Sequence, residues 1–148
     1  MVDGLMQLVS GRCMALIWHG IATIVLIFGK TPLIQIEVDP SLTTDLRDEQ
    51  FEYIDTWCVI TALLTLAIIC MALELAGLLS GYTIHQKNAN IVSALAHLGG
   101  FLSTLSMVLN GWTVRVYPYV FTTCSLLPAA LDVWWWTSQT FARKLGPR

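Results

Sequence analysis

WCVITALLTLAIICMALELAGLLS, residues 57–80, carries one charged side chain, Glu74, in a run of 24 residues. A helix crossing a bilayer needs about 20 mostly apolar residues, so this stretch reads as a membrane span. Three others resemble it: 13–29 between Arg12 and Lys30, 91–110, and 117–138. The second span extends back to about residue 54, leaving an outer loop over about 30–53. All four are too long, and too free of alternating polarity, for the short strands of a transmembrane barrel. The expected fold is all-α: one polytopic four-transmembrane-helix bundle covering residues 1–148.

Composition agrees. Of 148 residues, 55% are hydrophobic and 12% charged, about half the charge of a soluble domain. Disorder would need low hydrophobicity and high charge, and a net charge of -2 excludes a basic nucleic-acid binder. The expected surroundings are the lipid bilayer, with no nucleic acid. The first span is expected to be a retained anchor, because no small-residue cleavage site follows Phe28.

Lys and Arg favour the cytoplasmic side of short loops. Arg12, Lys87, Arg143, Lys144 and Arg148 would share one side, against Lys30, Arg47 and Arg115 on the other. Both termini are therefore expected in the cytoplasm. Trp134, Trp135 and Trp136 would form an inner interface belt, with Tyr53, Trp57, Trp112, Tyr117 and Tyr119 at the outer interface. Seven of the ten acidic residues fall between Glu37 and Asp55. They lack the spacing of a calcium loop and read as a solvated outer loop. Ile34, Ile36 and Val38 alternate with polar residues and suggest a short extended piece there. The Ser41–Asp45 run is a candidate cap for a helical turn leading into span two. Cys13, Cys58, Cys70 and Cys124 all fall in spans, so they read as packing residues, with no metal motif and no loop disulfide.

Inside the spans, His19, Glu74, His97 and Asp132 each stand seven or eight residues from the cytoplasmic end of a helix. A charged residue at a helix centre costs about 2.5–3.5 kcal/mol on insertion scales and usually finds a partner in the bundle interior. These four therefore predict one intramembrane polar layer. Glu74 and His97 are equidistant from the turn joining spans two and three, so antiparallel neighbours would bring them level; His19 and Asp132 would form a second acid–imidazole pair. Gly77 and Gly81 make a GxxxG motif, and with Gly100 they are candidate helix-packing positions. Pro128 is a candidate kink in the fourth span. Such a layer suits a structural role, a proton or solute path, or two imidazoles holding a haem. No nucleophile elbow, phosphate-binding loop or zinc motif occurs. The expectation is a non-enzymatic protein without cofactors, with a small transporter or a proton or haem carrier as the alternative.

Several motifs carry a family resemblance. Glu74-Leu75-Ala76-Gly77-Leu78-Leu79-Ser80-Gly81 resembles the E-L-A-G-x-L-S-G signature of the transmembrane protein 107 family. Ser93-Ala94-Leu95-Ala96-His97 is similar to its third-span segment, and Cys124-Ser125-Leu126-Leu127-Pro128-Ala129 to its C-S-A-L-P-A motif. His19 matches a first-span histidine. The sequence departs from the pattern in the outer loop, which lacks a cysteine often found there, and at Asp132, where relatives can carry Glu. The resemblance implies a tetraspan protein of the ciliary transition zone. It would anchor Meckel-syndrome and B9-domain partners, supporting cilium biogenesis and the barrier between ciliary and plasma membranes.

Overall fold

The computed structural model describes residues 2–37, 46–81, 83–84 and 86–145. Among them it is helical without strands: α1 (Val2–Glu37), α2 (Leu46–Leu79), α3 (Lys87–Asn110), a 3-10 turn (Val114–Val116), α4 (Tyr117–Phe121), a π-helical segment (Thr122–Leu126) and α5 (Leu127–Leu145). Three stretches are long and apolar enough to cross a membrane: Met6–Ile34, Tyr53–Leu79 and Lys87–Asn110. The fourth expected span is helical but interrupted. Pro128 has no N–H for the carbonyl at Cys124, and the π-helical turn falls on that same segment. Beyond it, α5 soon becomes polar (Thr137-Ser138-Gln139-Thr140).

The first helix corrects two expectations. Arg12 and Lys30, taken as its flanks, lie inside α1 and are 0% and 6% exposed. The Lys30 Nζ sits 4.5 Å from the centre of the Trp57 ring, where the ring face offsets lost hydration. The helix also continues through Pro32, so Ile34 and Ile36 are helical rather than extended. Leu33 and Ile34 are buried in the apolar core, and that packing holds the added turns in place. Val38 and the Ser41–Asp45 run lie outside the described residues.

Polarity runs inside out. Phe28, Leu79 and Leu109 are 83%, 81% and 71% exposed, whereas Arg12, His19, Glu74 and His97 are fully buried. Water would favour the reverse arrangement; hydrocarbon favours this one. The Trp134, Trp135 and Trp136 rings are exposed, as a belt requires, but Tyr117 is buried in the core instead of joining the outer belt.

Packing joins α1 to α2 and α3, and joins the 117–145 stretch to the same two helices. Close backbone approach between α2 and α3 is slight among the described residues, so these consecutive helices are not the direct neighbours expected. Arg12 bonds to Asn90, and His19 to His97, both across 78 positions. That constant offset means α1 and α3 run parallel and in register.

Gly81 also has a different role from the one expected. It stands after α2 with φ 79°, and its N–H donates to the Leu78 carbonyl at 3.1 Å. It is a left-handed helix terminator, not a helix-packing position. A side chain there pays the left-handed penalty of about 1–2 kcal/mol. Gly81→Ala should therefore lower the thermal midpoint of the purified protein in detergent, and Gly81→Asn should lower it less.

Candidate functional site

The bundle interior is organised by Arg12, which projects from α1 towards α2, α3 and α5. Its Nη1 donates to Asn90 Oδ1 on α3 at 2.8 Å. Its Nη2 donates to Glu74 Oε2 on α2 at 3.2 Å and closely contacts Asp132 Oδ2 on α5. One planar guanidinium thus binds three helices besides its own, a task its forked donors suit. Asn90 uses its amide in full: Nδ2 donates to the Thr83 and Ile84 carbonyls at 3.1 and 3.0 Å, tying α3 to the preceding turn.

Glu74 is the second hub. Its Oε2 also accepts from Ser93 Oγ at 3.1 Å and pairs with His97 Nε2 at 2.8 Å. The His97 Nδ1 lies 3.1 Å from His19 Nδ1. With His97 Nε2–H donating to the carboxylate, a neutral His97 ring accepts at Nδ1 from His19 Nδ1–H. His19 Nε2 is then left as a lone pair without a partner, cheaper to bury than an unpaired N–H. The predicted Glu74 and His97 pair therefore meets, but across the bundle. His19 and Asp132 do not pair; Asp132 takes Arg12 and His19 takes His97.

The polar groups form a column more than a layer. From Arg12 to His19 is seven residues, about 10 Å along a helix. Arg12 and Asn90 extend the expected set of His19, Glu74, His97 and Asp132. Their signal was their spacing: Arg12 and Asn90 each stand two turns before a buried histidine, on the same helix face. In this arrangement the two imidazoles bond to each other at 3.1 Å rather than facing across a gap.

Gly100 allows this contact. A Cβ there would collide with the His19 ring, lying 2.7 Å from Nε2, and would be 2.8 Å from Cys124 Cβ in the π-helical turn. At Gly77 a Cβ would stand 3.7 Å from Asp132 Oδ2 and 3.8 Å from Thr83 Cγ2, ordinary contact distances. Of the glycines expected to allow close packing, Gly100 is the position where the structure requires one. Among the described residues no group of three or more His, Cys, Asp or Glu side chains is arranged to hold a metal ion.

A family model for a transmembrane protein, TMEM107, matches residues 8–136. The chain belongs to the transmembrane protein 107 family. Transmembrane protein 107 of Mus musculus is 30% identical over 84% of this chain and 85% of the relative. The protein of the same name from Xenopus laevis is 27% identical over 89% and 90%, and that from Danio rerio 27% over 93% and 98%. No solved structure matches. The matched region holds the entire Arg12–Asp132 network, so the network belongs to the transmembrane protein 107 part of the chain.

The two glycines should separate clearly on mutation. Gly100→Ala must push apart α1, α3 and the π-helical turn, and overpacking of this kind costs about 1–3 kcal/mol. Gly77→Ala meets only ordinary contacts and gains helix propensity of about 1 kcal/mol. Thermal unfolding in detergent should show Gly100→Ala destabilised and Gly77→Ala at or above wild type; equal losses would contradict the packing described.

Proposed function

We propose that this member of the transmembrane protein 107 family is a non-enzymatic four-span scaffold of the ciliary transition-zone membrane. The 117–145 stretch is the fourth span, crossing with its π-helical turn packed on α3. Both termini face the cytoplasm. With Arg12 and Lys30 buried, the flanking basic residues are Lys87, Arg143, Lys144 and Arg148 on one side and Arg47 and Arg115 on the other, which keeps the positive-inside bias. The partners are other transition-zone membrane proteins and B9-domain proteins of the Meckel-syndrome assembly, as the family resemblance implies.

One observation carries the reading: the ionisable groups are spent on each other inside the bundle, and large apolar side chains face outward. A scaffold needs a fixed shape and lipid-facing surfaces for partners. A transport path needs an opening at both ends. The hydrogen-bonded string from Asn90 to His97 ends at His19 Nε2, which is packed near Gly100 and Cys124. Among the described residues no hydrogen bond carries the string past His19 Nε2, which favours the scaffold over a proton relay.

A fluorescent fusion in a ciliated cell should concentrate at the ciliary base, and the Glu74→Leu variant should be lost from it along with its partners. A wild-type signal spread over the plasma membrane with none at the base would refute the proposal. Proton flux in liposomes abolished by Glu74→Gln would favour the transport alternative.

A further inference from the structure

We propose that a groove between α2 and α5 binds the hydroxyl end of a membrane sterol. The groove has a volume of about 250 Å³, enough for the polar end and first rings of such a molecule, with the rest lying in the bilayer. Its lining includes Ala76, Gly77 and Ala129, of which Ala129 is buried and Ala76 lies at the exposed side. None carries a side chain beyond Cβ, so this part of the lining presents little relief to a flat fused-ring face. Leu73, Val133 and Trp136 form apolar walls around it.

Polarity changes along the groove as it does across a membrane leaflet. Near the α2–α3 turn it is lined by Ser80, Thr83 and Asp132; Leu73 and Ala129 make the other end purely apolar. Thr83 is 1% exposed and its hydroxyl has no partner. Asp132 keeps 8% of its side chain accessible. A Cβ at Gly77 would stand 3.7 Å from Asp132 Oδ2 and 3.8 Å from the Thr83 methyl, so the carboxylate meets an otherwise apolar surface there. A hydroxyl here would donate to the carboxylate.

Charge decides the class of occupant. The groove is lined by one carboxylate, Asp132, and by no Lys, Arg or His among the described residues. An anionic headgroup would find no cation there. Asp132 also lies four residues inside Trp136, about 6 Å further from the interface, which favours a donor attached directly to a hydrocarbon body over a phosphodiester headgroup. A sterol has one hydroxyl, no charge and a rigid frame that loses little entropy on binding. The site stands apart from the scaffold reading; it requires only that α2 and α5 face lipid.

The test uses the full chain purified in detergent, with photoreactive cholesterol as label and cholesterol or cholestenone as competitor. Cholestenone has the same frame but a ketone in place of the donor. A hydrogen bond to a charged group contributes about 1.5–3 kcal/mol, so cholesterol should compete about tenfold or more better than cholestenone. The label should map to α2 and α5. Val133→Trp and Ala76→Phe, which fill the groove from its exposed side, should each cut labelling with thermal stability kept. Equal competition by the two steroids, labelling unchanged in both variants, or saturable binding of ceramide with none of cholesterol would overturn the proposal.

Discussion

A single buried guanidinium sets the terms for the rest of the structure. Arg12 is fully buried, and an uncompensated charge in that position would be more costly than any one packing contact can offset. Its two Nη groups are met by Glu74, Asp132 and Asn90 together, which fixes three helices around α1 at once. The apolar exterior gives little specificity of its own, because lipid tails solvate Leu and Ile as well as a neighbouring helix does. Helix order and register come mainly from the polar interior.

Other features follow from that centre. The parallel register of α1 and α3 comes from two polar contacts at one offset, Arg12 with Asn90 and His19 with His97. The histidine contact requires Gly100, and the close approach at Gly100 is completed by Cys124 in the π-helical turn. The interrupted fourth stretch is thus part of the packing: its irregular turn and the missing side chain of Gly100 fit the same place.

Much of this was legible in the sequence. The apolar runs located the helices, and the rarity of ionisable residues within them marked His19, Glu74, His97 and Asp132. Arg12 was misread because a basic residue beside an apolar run is normally an interfacial flank; only tertiary burial distinguishes it. Pairing was legible in part: Glu74 and His97 meet as expected, whereas His19 and Asp132 do not. Sequence gives depth along a helix but not order around a bundle, so it cannot tell which level residues face each other. Gly81 shows a similar limit, since GxxxG spacing is blind to where the helix stops.

The central claim is that Arg12 and Asp132 are coupled as one buried unit, and a double-mutant cycle tests it most directly. Arg12→Leu alone leaves two buried carboxylates without their cation, and Asp132→Leu alone leaves the guanidinium short of an acceptor; breaking such pairs costs about 3–5 kcal/mol. With unfolding followed in detergent, the Arg12→Leu/Asp132→Leu double variant should be far more stable than the sum of the single losses predicts, with a coupling of roughly 0.5–3 kcal/mol. Strictly additive losses would contradict the account.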